Sequence, residues 1–276
     1  MALKTSCGVI ALITDFGYID PYVGAMKGVA LDICPKIKIV DITHEIPSFD
    51  IDYAALALFM VYKYYPVGTI FVVVVDPGVG SARRPILIVT RNYYFIGPDN
   101  GVLTLAAKND GIEAVIKLEN EIYFRKPVSR SFHGRDIFMP VAAWLACGTP
   151  PESFGSLQPI DSIKELEAML YIKKINSKCI ELKAIHIDKF GNIMLSNMFN
   201  DVAKALGLDI GDRLYVYTNN ARFEAVVREV FSLAREGELV LYENSFQLAE
   251  LAINKGSAKD ILKVNKRDTV KICKEV

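Results

Sequence analysis

Apolar positions along this 276-residue chain fall into two textures. In the first, short dense runs alternate with stretches of helical period. Residues 8–13 (GVIALI) read as a buried strand that breaks at Thr14-Asp15-Phe16-Gly17. Asp20 before Pro21 reads as an N-cap with proline at the first helical position, opening a helix that runs to Ile33 and closes at Cys34-Pro35. Residues 37–42 form a second strand, and Asp50 caps a helix over 52–65. Residues 70–75 (IFVVVV), apolar on both faces, make a third strand, central in a parallel sheet. Strand, helix, strand, helix, strand predicts an α/β domain whose mostly parallel sheet is flanked by helices. Strand-like runs at 85–90 and 93–96, a turn at Asp99-Asn100-Gly101 and a helix over about 137–146 complete this part.

The texture then changes. Gly148-Thr149-Pro150-Pro151 and Gln158-Pro159 have the most linker-like composition of the chain, and a short helix is predicted near 162–168. From Lys178 onward, short β-like runs at 179–187, 213–217, 222–230, 239–242 and 269–273 are separated by Gly, Asn and Asp turns, the pattern of a small sandwich or barrel. The predicted division is an α/β domain over 1–172 and an all-β, barrel-like domain over 173–276.

Composition narrows the class. Lys and Arg number 32 against 32 Asp and Glu, with no block of like charge, which argues against nucleic acid or an anionic membrane as partner. Mean hydropathy is +0.25 and 51% of residues are hydrophobic. The longest apolar stretches nevertheless fall far short of the roughly 20 residues of a spanning helix. The surplus points to a large core, an oligomer interface, or both. Five cysteines, an odd number without a C-x-x-C, signal neither a disulfide framework nor a zinc site and read as buried thiols of a reducing cytoplasm. The first residues show no pattern of a secretion signal, and a cytoplasmic location is expected.

Ligands of open α/β sheets bind beyond the carboxyl ends of the strands. Three such ends carry carboxylates: Asp15, Asp41 with His44 three residues on, and Asp76. Singly, each fits an Asx-turn or a helix cap; together they point to a site. The segment from Asp76 to Arg83 contains a G-x-G. Arg83 stands where a dinucleotide fingerprint needs glycine, however, and Pro85 begins another strand instead of a helix. The glycines read better as a tight turn presenting Asp76 and Arg83 at its two ends. Ser131-Phe132-His133-Gly134-Arg135-Asp136 gathers a hydroxyl, an imidazole, a guanidinium and a carboxylate before a helix, and the chain has only three histidines. A structural histidine with a local Arg135–Asp136 pair is the plainer reading. Asp188-Lys189-Phe190-Gly191-Asn192 sets an aromatic and an amide around a glycine, suited to stacking on a flat base and reading its edge, or simply to a hairpin turn.

Taken together, T-D-F-G-x-x-D-x-Y-V-G-A-M-K-G (14–28), D-I-T-H (41–44), V-D-P-G-V-G-x-x-R (75–83), P-D-N-G (98–101), F-H-G-R-D (132–136) and I-D-K-F-G-N (187–192) resemble the S-adenosyl-L-methionine (SAM) hydroxide adenosyltransferases, or SAM hydrolases, relatives of the SAM-dependent fluorinase and chlorinase. The similarity runs over nearly the whole chain in order. It implies an α/β domain followed by a β-barrel, assembled as a homotrimer, with SAM between one subunit's N-terminal domain and its neighbour's C-terminal domain. By the resemblance Asp15 binds the ribose diol, Asp20 and Asp188 the methionine ammonium end, and Ser245 the methionine carboxylate. Phe190 stacks on adenine, Asn192 reads its edge, and Phe49 and Phe132 line the sugar and sulfonium. Asp76, Arg83 and His133 match the set of the hydrolytic branch. In the halogenating relatives the Asp76 position is Tyr, and a halide-holding Ser stands where this chain has Gly134.

The implied reaction is SAM plus water giving adenosine and L-methionine by displacement at ribose C5′, with SAM as substrate and no cofactor or metal. Arg83 would make Asp76 a poor base, so positioning and desolvation outweigh full deprotonation of the water. Two rivals belong to other classes. One is a SAM- or adenosine-binding module without turnover. The other is a metal-dependent hydrolase using Asp15, Asp41, His44, Asp76, His133 and Asp136, although no tight ligand motif such as H-x-x-x-H occurs.

Overall fold

The computed structural model describes residues 5–166, 170–218 and 221–275, and the chain divides into two compact units, residues 1–166 and 167–276. The predicted alternation folds as β1 (Val9–Thr14), α1 (Tyr22–Ile33), β2 (Lys38–Thr43), α2 (Ile51–Val61) and β3 (Ile70–Val74). Asp50 caps α2 by accepting the Tyr53 N–H at 3.0 Å. Asp20 does not cap α1. Pro21 holds the N-cap place and no side chain bonds the first turn, so Asp20 stands one position too far out to reach the N2 or N3 amide.

The sheet of the first unit runs β2-β1-β3-β5-β4-β6-β7, with β4 Pro85–Thr90, β5 Tyr94–Pro98, β6 Ile112–Leu118 and β7 Gly155–Gln158. The β2, β1, β3 and β5 strands are mutually parallel, while β4, β6 and β7 add antiparallel pairings, which makes the sheet mixed. The linker-like stretch is not a linker: β7 lies in it and pairs with β6, preceded by a short turn that buries Phe154 completely. The helix expected near 162–168 does not form over 163–166, and residues 167 and 168 lie outside the described ones.

Strand β3 is buried on both faces, and period two divides it between two cores. Ile70, Val72 and Val74 share one core with Met26 and Ala30 of α1 and with Val141 and Ala142 of α4 (Met139–Ala146). On the other face Phe71 stacks on Phe95 at 5.3 Å, with Tyr93 edge-on at 5.5 Å. Helix α3 (Thr104–Asp110) packs with α2.

Four of the five cysteines are paired, against the expectation of thiols: Cys34 with Cys147 and Cys179 with Cys273, leaving Cys7 free. The partners are 113 and 94 residues apart, so spacing gave no sign of them. Topology does the pairing. Cys34 ends α1 and Cys147 follows α4, neighbouring helices on one face, while Cys179 and Cys273 face each other across paired strands. The ground for a reducing compartment is thereby removed. Replacing Cys34 and Cys147 by serine should lower stability by about 2–4 kcal/mol, read from urea unfolding of the oxidised protein. Equal midpoints for the two proteins would show that the bridge adds nothing.

The second unit is a barrel. Its strands are β8 (Ile172–Lys174), β9 (Cys179–Ile187), β10 (Ile193–Met198), β11 (Arg213–Thr218), β12 (Ala221–Val227), β13 (Leu239–Glu243), β14 (Leu248–Ile253) and β15 (Thr269–Lys274). The order β10-β14-β13-β12-β11-β15-β9 closes through a β9–β10 pairing, giving a ring of seven strands with β8 outside it on β9. Closure removes the sheet edges that would otherwise invite association. Helices α5 (Phe199–Leu206) and α6 (Ala258–Leu262) add Val202, Leu206, Ala258 and Leu262 to the barrel core.

Candidate active site

Two groups of the expected residues gather, one in each unit. In the first unit a cavity of about 160 Å³ is lined by Asp15, Phe49, Asp76, Phe132, His133 and Gly134, with Phe16, Val74, Val79 and Ser131 completing its wall. It lies beyond the carboxyl ends of β1 and β3, where an α/β sheet offers side chains and backbone free of the ladder.

The turn after β3 is built by its glycines. Gly80 has φ +75°, and a Cβ there would come within 2.4 Å of the Arg130 carbonyl oxygen. The loop carrying Arg83 therefore packs directly on the loop preceding His133. Arg83 Nε lies 2.9 Å from both Asp76 carboxylate oxygens, and its Nη2 bonds Asp76 Oδ2 as well as His133 Nδ1 at 2.8 Å. Side-chain exposure is 5% for Asp76 and 7% for Arg83, so the pair is a buried one. Its guanidinium also covers the Phe138 ring at 5.3 Å.

This contact assigns the imidazole. A guanidinium only donates, so His133 Nδ1 must accept, and the neutral ring carries its proton on Nε2. Burial holds the His133 pKa below the ordinary imidazole value, and the Arg83 charge lowers it further. Asp136, fully buried, accepts from Arg135 Nε at 2.6 Å and from the Ser129 N–H at 2.8 Å. It is the local ion pair of the plainer reading, and it ties down the 129–131 loop beside His133.

Asp15 is oriented by Phe49, whose N–H donates to Oδ2 at 2.9 Å from a left-handed backbone with φ 66°. Burial pushes the Asp15 carboxyl up, the Phe49 bond opposes this, and the Asp76 charge adds to the rise. The D-I-T-H motif lies behind this loop. His44 Nδ1 sits 2.8 Å from Thr14 Oγ1, which accepts the Phe16 N–H, while the His44 carbonyl accepts the Gly17 N–H at 2.8 Å. Lys27 pairs with Asp41 at 2.6 Å. These partners make Asp41 and His44 scaffold for the Asp15 turn. Among the described residues no three His, Cys, Asp or Glu side chains converge as a metal cage.

In the second unit Asp188, Phe190, Asn192 and Ser245 all line a cavity of about 640 Å³. Asp188 organises the turn. Its Oδ1 accepts the N–H of Phe190 and of Asn192, both at 2.9 Å, and its Oδ2 accepts Asn192 Nδ2 at 3.0 Å. Gly191, φ +84°, closes the turn where a Cβ would meet Ser257 Oγ at 2.2 Å. Phe190 is left 66% exposed, with Lys189 Nζ 4.9 Å from its ring centre. Asn192 gives one N–H of its amide to Asp188, which leaves its Oδ1 acceptor and second N–H for a ligand.

Asp20 joins neither group and is exposed. Sequence reasoning missed Tyr242, Asn244 and Glu250, which line the larger cavity. The available signal was a carboxylate inside the apolar run LAELAI. A third cavity, about 530 Å³ beside Arg213, Tyr215 and Glu238 of the second unit, contains none of the expected residues.

The chain thus combines a strand-end Asp-Arg-His cluster in an α/β unit with an aromatic and amide turn in a barrel unit. Residues 10–155 match the SAM hydroxide adenosyltransferase N-terminal domain and 182–271 its C-terminal domain, and the chain belongs to this family. A Thermus thermophilus protein named (R)-S-adenosyl-L-methionine hydrolase is 35% identical over 260 residues, 92% of this chain and 94% of that protein. A Nocardia brasiliensis fluorinase is 28% identical over 90% of this chain and 91% of its own. The crystal structure of an uncharacterized conserved protein from Thermotoga maritima superposes with a TM-score of 0.88 at 36% identity, covering 96% of this chain and 99% of that one.

Proposed function

We propose that this enzyme hydrolyses SAM to adenosine and L-methionine by attack of water on ribose C5′. The observation that carries the reading is that Asp76 and His133 line a cavity shared with Asp15 while the buried Arg83 bonds both of them. Asp76 accepts a hydrogen from the attacking water and orients its lone pair, while Arg83 fixes the carboxylate from behind and His133 beside it. The O–C5′ bond forms as the C5′–S bond breaks, its electron pair goes to sulfur, and the water's proton leaves through Asp76 to solvent. The sulfonium is already an activated leaving group, so none of these steps needs a metal or a cofactor.

Asp15 accepts both ribose hydroxyls, and Phe49 and Phe132 bound the sugar and the sulfonium. In the second unit Phe190 stacks on adenine, Asn192 Oδ1 accepts the base's amino group, and Asp188 and Ser245 face the methionine end, with Asp20 reaching the ammonium. The two halves belong to one site in a homotrimer in which each chain's first unit meets its neighbour's second. Sedimentation reads this directly, and any mass other than three chains sinks the trimer. A cytoplasmic location follows from the substrate, a metabolite made inside cells. Nucleic acid and membrane have no part in the reading.

Hydrolysis is favoured over halogenation by packing at Gly134. A Cβ there would lie 3.2 Å from Val74 Cγ1 and 3.3 Å from Met26 Sδ, so a serine requires both neighbours to move. The deciding experiment incubates the protein with each sulfonium epimer of SAM in heavy-oxygen water with halide present. Label in the adenosine 5′-hydroxyl, with the (R) form turned over faster, supports the reading. Intact SAM indicates a binding module, and 5′-halo-adenosine a halogenase.

The acid side of the pH profile follows from two shifts of opposite sign. Asp15 loses its charge as pH falls through a value raised above the ordinary 3.8. His133 gains a charge, and loses its acceptor for Arg83, only below a value depressed from 6.5. Both transitions remove the active form as pH falls, so kcat/KM should decline on the acid side. A His133 ring that itself titrates above 6.5, read by nuclear magnetic resonance, would contradict the assigned neutral imidazole.

A further inference from the structure

We propose that Glu250 is a positioning residue for the amino-acid end of the substrate: it fixes the orientation of the Asn244 amide and, through it, the turn that presents Ser245. The inference rests on the reading of the larger cavity as the half-site for methionine and adenine.

Strand β14 alternates. Ala249, Leu251 and Ile253 enter the barrel core, while Glu250 takes the opposite face beside Tyr242 and is only 3% exposed. Nothing in the reaction at C5′ uses this carboxylate, and burying one is costly unless its bonds accomplish something. Its Oε1 accepts the Tyr242 hydroxyl and its Oε2 accepts Asn244 Nδ2 at 2.8 Å.

The consequence is directional. A carboxylate only accepts, so Asn244 must turn its NH₂ toward Glu250 and its carbonyl away. Turned this way, Asn244 Oδ1 accepts the backbone N–H of Phe246 at 2.9 Å and of Leu248 at 3.0 Å. Those two bonds, with Gln247 N–H to the Asn244 carbonyl at 2.9 Å, close the turn that carries exposed Ser245 on the cavity wall. They also hold Gln247 at φ 68°, a left-handed conformation that costs a non-glycine residue free energy.

The test exchanges donor and acceptor. In Glu250→Gln only one acceptor oxygen remains for Tyr242 and Asn244, so the charge-assisted bond that fixes the Asn244 amide is weakened or lost. The expected result is a KM for SAM raised about tenfold with kcat within about twofold, the loss of one to two ordinary hydrogen bonds. In titrations of the purified protein, L-methionine should bind about tenfold more weakly and adenosine as before.

Glu250→Gln combined with Asn244→Asp restores the pattern. The introduced aspartate accepts from the introduced glutamine and from both backbone amides, and KM should return to within about threefold of wild type. Wild-type KM and methionine affinity in Glu250→Gln, or an exchange pair whose KM stays raised, overturns the proposal. If the single variant does not fold, the exchange pair alone decides. A wild-type protein that leaves SAM intact defeats the functional reading separately, and the L-methionine titration still decides the role of Glu250.

Discussion

Asp76→Asn should bind SAM within a few-fold of wild type and turn it over about 10²- to 10³-fold more slowly, the usual weight of a positioned proton acceptor. The amide nearly matches the carboxylate in shape, and at 5% exposure the site has little room to rearrange. Two changes remove the chemistry. Asparagine cannot take the proton that the attacking water sheds. Its NH₂ must also face either the water or Arg83, whose Nε now bonds both carboxylate oxygens at 2.9 Å. Binding survives because the expected contacts to ribose, adenine and methionine lie on other residues. Equilibrium titration with SAM, followed by single-turnover product analysis, separates the two effects. A variant that hydrolyses at the wild-type rate removes Asp76 from the reaction.

Arg83→Gln should do more damage, because it acts on stability as well as on rate. The Asp76 carboxylate, with its side chain 5% exposed, would lose the guanidinium that pairs with it. Breaking a buried pair from one side costs about 3–5 kcal/mol. The same substitution frees His133, which now spends Nδ1 accepting from Arg83 Nη2 at 2.8 Å. Relieved of the neighbouring positive charge, the imidazole should titrate at higher pH than in the wild type, which nuclear magnetic resonance of the His133 ring reads directly. Activity should fall at least as far as in Asp76→Asn, since the carboxylate loses its orientation. A variant of wild-type stability whose His133 titration is unmoved would show that the Asp76–Arg83–His133 contacts do not constitute the unit described above.

The parts of the site legible in the sequence are those in which chemistry and local backbone coincide. Asp15 and Asp76 follow runs of uniform apolarity, and position alone marked them as strand-end carboxylates. Asp188-Lys189-Phe190-Gly191-Asn192 showed its turn because glycine is required where φ is +84°. Of the two readings of that segment the structure shows the turn: Asp188 holds it through three hydrogen bonds, and it leaves Phe190 exposed. The Asp20 cap failed for the opposite reason. The dipeptide suits a helix start, but which residue takes the N-cap place depends on how the preceding loop enters α1.

Sequence by itself determined the α/β unit followed by a β unit, the strand-end acids and, through the resemblance, the family, because period, turn chemistry and motif order are local properties of the chain. Three features were decided only by tertiary structure. The Cys34–Cys147 and Cys179–Cys273 bridges join residues 113 and 94 apart. The contact of Arg83 with His133, which sets the imidazole tautomer, spans 50 residues. Glu250 meets Tyr242 because β13 and β14 pair antiparallel, which sets Tyr242 opposite Glu250 across the ladder. Each of these depends on which segments pack together. That is settled by burial of the two cores as a whole, and no pattern within a single element records it.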